Sequence, residues 1–136
     1  DDKVYAQFGL FTSGFLCCLS IVILYGTVHT GIDINKLIFP LLGFAFAGMG
    51  IYMPKLKQNY IAGFKLPWTL ENEANWNATH ALAGKVWMAG GALQMVTAML
   101  LSGPAIFIAF MSITAVMVII PSVFSFRMYK RGNPTT

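Results

Sequence analysis

Few side chains in this sequence could do chemistry, and they lie mainly between residues 59 and 84. Glu73 and His80 supply a carboxylate and an imidazole to this stretch. An imidazole near a carboxylate can change its charge close to neutral pH and pass on a proton. One interpretation is therefore an acid–base pair. No second histidine and no cysteine lies at metal-ligand spacing from His80, so we expect no metal and no cofactor.

A helix is expected to carry these side chains. Thr69 is predicted to be its N-cap, and the helix would continue past His80 into an apolar segment. Four residues spaced by seven would then lie on one face: Glu73, His80, Trp87 and Gln94. Polar groups at membrane depth are costly unless they face protein or water. We therefore expect this polar stripe to face the interior of a helix bundle.

The polar stripe has two interpretations. It can line a polar cavity that opens to the cytoplasm. Alternatively, it is structural: Trp68 and Trp76 anchor the protein among lipid headgroups, and Gln94 bonds a neighbouring helix. His80 is likewise either a hydrogen-bonded residue with a structural or binding role, or a proton-transfer group paired with Glu73.

The segment before the helix is predicted to fold back as a fixed motif. Gly63 and Pro67 restrict the backbone to a defined turn. We expect the Trp68 side chain to pack against the bundle and the Asn59 side chain to bond the backbone near Thr69.

The composition identifies the class of protein. Of 136 residues, 57% are apolar and 10% are charged, whereas soluble domains carry about 25% charged residues. The chain is therefore expected to be an integral membrane protein. Its basic residues flank apolar segments and form no continuous basic face, so we expect membrane lipid and no direct nucleic acid as partners. The adjacent Cys17 and Cys18 are interpreted as small apolar residues of a membrane helix.

Four uncharged or nearly uncharged segments are long enough to cross a bilayer. They cover approximately residues 8–29, 37–53, 81–101 and 105–126, with the functional loop at 54–80. The predicted fold is an all-α, polytopic four-transmembrane-helix bundle with an interfacial cytoplasmic loop-helix, forming a single domain over residues 1–136. Gly43, Ala47 and Gly50 form a small-residue stripe on the second span, which predicts close approach of another helix and a central position.

The basic residues predict the orientation. With four spans, both termini and the long loop lie on one side of the membrane. That side holds Lys3, Lys55, Lys57, Lys65, Arg127, Lys130 and Arg131, and the other side holds Lys36 alone. This bias predicts cytoplasmic termini in a cell membrane.

The long loop carries an unusual motif: Asn59, Gly63-Phe64-Lys65 and Pro67-Trp68-Thr69-Leu70, followed by Trp76, Thr79 and His80. These residues fit the pattern N-x(3)-G-[IF]-[RK]-x-P-W-T-L followed by W-x(2)-T-H. The pattern resembles the signature of the SdpI family, a group of bacterial membrane proteins. Ala81 stands where many members carry a basic residue.

The resemblance implies a function that composition and spacing do not. The family is named for immunity to a secreted toxin, the sporulation-delaying protein, coupled to capture of a transcriptional repressor. We therefore expect an immunity and signalling protein whose partners are a toxin peptide, a repressor or both. The predicted binding residues are Asn59, Lys65, Pro67, Trp68, Thr69, Glu73, Trp76, Thr79, His80 and Gln94.

Two other classes of function stay open at this point. An intramembrane enzyme or a proton-coupled transporter would use Glu73 and His80 as its reacting groups. A structural subunit would need neither residue for chemistry. The binding module is the preferred interpretation, and what touches the side chains of Trp68, Trp76 and His80 in the folded protein distinguishes the three.

Overall fold

The computed structural model describes residues 2–132, and within this range the chain forms helices and no strands. The helices are α1 (Asp2–Val28), α2 (Asn35–Tyr52), α3 (Pro67–Glu71), α4 (Glu73–Leu100) and α5 (Pro104–Gly132). A short 3-10 turn, Met53–Lys55, follows α2. The prediction of an all-α fold is confirmed, and each predicted span coincides with one of the four long helices.

Three of these helices are long and apolar enough to cross a membrane. They are α1, α2 with its 3-10 turn, and α5. The fourth long helix, α4, has 28 residues and is about 42 Å long at about 1.5 Å per residue. It is less apolar because its inward face carries buried polar side chains such as Asn75, His80 and Gln94.

Helices α2 and α4 form the central pair of the bundle, and glycines let their backbones meet. A Cβ atom added to Gly50 would lie 2.7 Å from the carbonyl oxygen of Gly84, and one added to Gly84 would lie 2.7 Å from that of Gly50. Two turns away, a Cβ atom on Gly43 would lie 2.8 Å from the carbonyl oxygen of Gly91. The predicted small-residue stripe on the second span is confirmed, and its partner is α4.

The two ends of the bundle differ in what they hold. At one end, which we call the hairpin end, the Lys36 ammonium donates to the carbonyl oxygens of Ala98, Met99 and Leu101. These are unsatisfied acceptors at the C-terminus of α4, where a cation is favourable. At the opposite end, the loop end, the segment between α2 and α3 lies beside Tyr5 of α1.

Helix α1 lies at the edge of the bundle. It packs on α2 and has no buried residue. Its contacts include Phe11, whose ring centroid lies 5.9 Å from that of Tyr52. Cys17 and Cys18 are free thiols on its exposed surface. The polar contacts that organise the loop end therefore come mainly from α3, α4 and α5.

Candidate functional site

The site centres on His80, which holds the loop through both of its ring nitrogens. Nε2 accepts the backbone N–H of Phe64 at 2.9 Å, and Nδ1 lies 2.8 Å from the carbonyl oxygen of Trp76. A carbonyl oxygen can only accept, so Nδ1 carries the proton and the ring is the neutral Nδ1–H tautomer. The side chain is 1% exposed, and this burial lowers the pKa of His80 below its ordinary value.

The loop approaches His80 at a glycine that no other residue can replace without strain. Gly63 has a φ of +118°, and a Cβ atom there would collide with Nε2 of His80 and lie 3.1 Å from Cη2 of Trp76. Left-handed backbone suits glycine because it has no Cβ atom. The prediction that Gly63 fixes the turn is confirmed.

Trp76 secures the other end of the same loop. Its indole N–H donates to the carbonyl oxygen of Leu56 at 2.8 Å, and its ring stacks on that of His80 with centroids 4.0 Å apart. Trp76 is 0% exposed. The expectation of a headgroup anchor is therefore wrong for Trp76, because its indole N–H has a protein partner inside the bundle. We call Trp76 and His80 the loop clamp, since they hold residues 56 and 64.

Thr69 completes the fold of the loop, although not as the predicted N-cap. Helix α3 begins at Pro67, and Thr69 lies within its first turn. The Thr69 hydroxyl oxygen accepts the backbone N–H of Leu66 at 3.0 Å and lies 2.6 Å from the carbonyl oxygen of Phe64. The N-cap prediction is wrong because proline, with no N–H to satisfy and a helical φ, starts the helix at Pro67 and makes Leu66 the N-cap, three residues before Thr69.

The predicted continuous helix from Thr69 is also interrupted. Asn72 adopts an extended backbone conformation between α3 and α4. Its side chain caps α4 by accepting the backbone N–H of Asn75 at 3.0 Å. The polar stripe is therefore carried by α4 alone, which begins at Glu73.

The predicted contact of Asn59 with the backbone near Thr69 is wrong. Asn59 Oδ1 accepts the backbone N–H groups of Ile61 and Ala62 at 2.7 and 2.8 Å, which is a local turn. The neighbouring Gln58 makes the long-range contact instead, donating to the carbonyl oxygen of Thr69 at 2.7 Å. The short side chain of asparagine favours bonds to its own backbone a few residues on, whereas glutamine has the greater reach.

Glu73 is the one member of the polar stripe that does not face the interior. It is exposed at the first residue of α4, where the positive end of the helix dipole and water both favour a carboxylate. Both ring nitrogens of His80 are occupied by backbone groups. The interpretation of Glu73 and His80 as an acid–base pair is therefore wrong.

The other members of the stripe bond the helices beside them. The Gln94 amide N–H group donates to Thr114 Oγ1 at 2.8 Å, and the Trp87 indole N–H donates to the carbonyl oxygen of Met117 at 3.2 Å. These contacts confirm that Gln94 bonds a neighbouring helix and that His80, Trp87 and Gln94 face inward. The Gln94 oxygen Oε1 is buried without a hydrogen-bond partner among residues 2–132.

A buried network that the sequence did not reveal joins α4 to α5 at the loop end. Asn75 Oδ1 accepts the hydroxyls of Thr79 at 2.9 Å and Ser125 at 2.6 Å, and its amide N–H group donates to the carbonyl oxygen of Ser125 at 3.0 Å. Thr79, a predicted binding residue, is thus occupied inside the protein. The sequence signal that could have indicated this network is Ser125, a polar side chain within a long apolar span, because such side chains usually face the interior of the bundle.

The remaining predicted binding residues lie towards the surface. Lys65 and Pro67 are exposed, and the Lys65 ammonium lies 3.3 Å from the carbonyl oxygen of Ile61. The Trp68 ring packs on Phe126 and Tyr129 of α5, with centroids 5.2 and 5.9 Å apart, which confirms its predicted contact with the bundle.

A cavity of about 300 Å³ lies beneath the loop, and Trp87 is the member of the polar stripe that lines it. Of the two interpretations of the stripe, a polar cavity is not what the structure shows, because His80 and Gln94 bond other parts of the protein and this cavity's lining carries no charged side chain. Within residues 2–132, no three histidine, cysteine or acidic side chains come together as metal ligands would.

Comparison with known proteins gives one match. The model of the SdpI/YfhL protein family matches residues 55–125, slightly more than half of the chain. The matched region begins at the end of the 3-10 turn and includes the loop, α3, α4 and most of α5, so it contains the whole loop clamp. Searches of curated proteins and of solved structures gave no match.

Proposed function

Because the chain belongs to the SdpI/YfhL protein family, we propose that it is a bacterial membrane immunity protein that acts by binding a membrane-active toxin peptide. The observation that carries this proposal is the state of His80. Its two ring nitrogens are held by the backbone of Phe64 and Trp76. A general base needs a free lone pair within reach of its substrate, so the geometry favours a residue that shapes a binding loop.

The loop clamp holds the loop so that its tip, at residues 60 and 61, is exposed. Tyr60 is 78% exposed and Ile61 is 87% exposed. The turn made by Asn59 Oδ1 fixes the backbone at residues 61 and 62. Large apolar side chains on a fixed backbone suit contact with an amphipathic partner, because little conformational freedom is lost on binding. We assign Tyr60 and Ile61 as the contact residues of the tip.

Lys65 contributes charge to the same surface. It is exposed, and its ammonium donates to the carbonyl oxygen of Ile61 at 3.3 Å. The signature residues then divide into two groups. Thr69, Trp76, Thr79 and His80 are buried and support the loop, while Asn59 and Lys65 lie in the part that a partner can reach.

The second half of the proposal is signalling. The C-terminal turns of α5 carry Arg127, Lys130 and Arg131 at the loop end, and the bias of basic residues predicts that this end faces the cytoplasm. Toxin contact at the tip, which lies at the same end of the bundle, is transmitted to these turns of α5 through Trp68, which packs on Phe126. A repressor protein captured there would be kept from its operator.

A toxin-challenge assay tests the immunity function. Sensitive cells that express the full chain are exposed to the sporulation-delaying protein toxin, and survival is compared among variants at equal protein level. Protection should be lost in the double variant Tyr60→Ala/Ile61→Ala. The matched control is Leu100→Ala, which truncates an equally exposed apolar side chain, 78% exposed, near the hairpin end. Protection that survives the double variant would refute the assignment of the tip.

A further inference from the structure

The apolar cavity beneath the loop has walls from every long helix. Phe8 of α1, Met49 of α2, Trp87 of α4 and Val118 of α5 line it, and residues 62–64 line it at the loop end. Its volume of about 300 Å³ is at the lower end of the range for small-molecule sites, about 300–1,000 Å³. The space is large enough for a ligand and is not a packing defect of a single methyl group.

The chemistry of the lining selects the ligand. None of the side chains around the cavity is charged, and Met49 and Met53 are among them. The Trp87 indole N–H is already bonded to the carbonyl oxygen of Met117. A polar ligand would lose its hydrogen bonds to water and regain few here. Methionine side chains are flexible and adapt to an irregular apolar occupant.

The depth of the cavity indicates where its ligand comes from. Trp87 lies six residues beyond the start of its predicted span at Ala81, and Val118 lies eight residues before the end of its own at Phe126. These separations correspond to about 9 and 12 Å along the helices at about 1.5 Å per residue. Both side chains therefore lie within a hydrocarbon core about 30 Å thick, below the level of the headgroups.

The cavity also reaches the surface of the bundle at this depth. Val118 lines the cavity and is 42% exposed. Helix α1, which provides Phe8, packs on α2 and makes no comparable contact with α4 or α5. Between α1 and α5, the cavity thus faces the region of the bilayer that acyl chains occupy.

We propose that this cavity binds an acyl chain of a membrane lipid. The chain enters between α1 and α5 beside Val118, and its methylene groups contact Met49, Met53 and Trp87. The lipid headgroup stays at the interface near the loop. Because residues 62–64 form one wall, the bound chain also supports the segment that the loop clamp holds. This proposal does not depend on toxin immunity.

Photolabelling of the full chain in vesicles tests this directly. The vesicles contain phosphatidylcholine with a diazirine group within one acyl chain, and the modified residues are identified by mass spectrometry after illumination. Met111 is the internal reference, because it is 50% exposed on α5 and faces lipid in any case. Met53 is 8% exposed and is expected to be labelled because an acyl chain enters the cavity. Labelling of Met111 without labelling of Met53 would overturn the proposal.

A pair of variants makes the assignment specific. Val118→Phe fills the mouth of the cavity and should reduce labelling of Met53 relative to Met111. Val116→Phe makes the same change on an exposed valine of α5, 52% exposed, that does not line the cavity, and it should leave the ratio unchanged. An equal Met53 to Met111 ratio in the two variants would contradict entry beside Val118.

Discussion

The Nε2 atom of His80 accepts the backbone N–H of Phe64 at 2.9 Å, across 16 residues of chain and at the turn where Gly63 adopts a left-handed conformation. This bond joins α4 to the loop beside a glycine that tolerates no side chain. A proton on Nε2 would place two donors opposite each other and break the bond. The fold of the loop is therefore linked to the protonation of one buried histidine.

This linkage predicts a pH dependence of stability. Burial lowers the pKa of His80 in the folded protein, so the unfolded state binds more protons just below the ordinary value of about 6.5. The contribution of His80 to the free energy of unfolding is complete above that value and is lost as the pH falls through the lowered folded pKa. Thermal unfolding in detergent from pH 7.5 downward measures it. His80→Gln should remove this part of the dependence; an unchanged profile would contradict the clamp.

Gly63→Ala should destabilise the loop strongly. The new Cβ atom meets the His80 ring, and backbone strain at a left-handed position costs about 1–3 kcal/mol. The matched control is Gly31→Ala. Gly31 has a φ of +100° but no atom within 4 Å of a new Cβ, so Gly31→Ala carries backbone strain without a collision. Thermal unfolding in detergent should therefore show a larger loss of stability for Gly63→Ala than for Gly31→Ala. Equal losses would show that the contact with His80 is unimportant.

Close packing of α2 on α4 predicts the effect of a single methyl group. Gly50→Ala places a Cβ atom against the carbonyl oxygen of Gly84 and should destabilise the bundle by about 1–3 kcal/mol, as overpacking does. Gly14→Ala on α1 meets no atom within 4 Å and should be neutral or slightly stabilising, because alanine is the better helix former. Denaturation in mixed micelles compares the free energies of unfolding of the two variants. Equal values would mean that α2 and α4 can move apart enough to accommodate the methyl group without loss of stability.

The sequence predicts those parts of this structure that depend on local pattern. Uncharged or nearly uncharged segments of sufficient length predicted all four long helices, and spacing by seven predicted that His80 and Gln94 face inward. The glycine stripe of α2 predicted a close helix contact, because small residues at helical spacing have one main use in a membrane. Each of these inferences needs only residues within a few turns of one another.

The sequence does not predict contacts between residues far apart in the chain, where irregular segments decide which residues meet. The hydrogen-bond partner of His80 depends on the path of the loop, which the sequence does not specify. The stripe pattern pointed to Glu73, seven residues before His80, and that partner is wrong. The bond from Ser125 to Asn75 joins residues 50 positions apart. Gln58 and not Asn59 reaches α3, because adjacent residues in a turn point in different directions and no periodicity specifies which.

Accessibility labelling tests the orientation in the membrane. In a Cys17→Ala/Cys18→Ala background, Glu71→Cys should react with a membrane-impermeant maleimide only after the cells are opened, and Asp33→Cys should react in intact cells. Glu71 is exposed at the loop end and does not cap α4, unlike Asn72. The seven basic residues predicted for the loop side, against Lys36 alone, are the reason for this expectation. Labelling of Glu71→Cys in intact cells would reverse the orientation.

The last prediction separates binding from acid–base chemistry. Glu73→Gln removes a titrating group and preserves its shape, and Glu73 is exposed at the start of α4 with no contact to His80. Protection in the toxin challenge should therefore be unchanged. The only expected effect is a loss of stability of up to about 1 kcal/mol, because the carboxylate no longer interacts with the helix dipole.

Trp76→Phe is the matching change on the clamp. It keeps an aromatic ring against His80 and deletes the indole N–H that holds the carbonyl oxygen of Leu56. A buried acceptor left without its donor costs about 1–3 kcal/mol, so the loop should loosen and protection should fall while the protein level stays normal. Protection that fails with Glu73→Gln but survives Trp76→Phe would instead make the carboxylate the essential group and replace binding by proton chemistry.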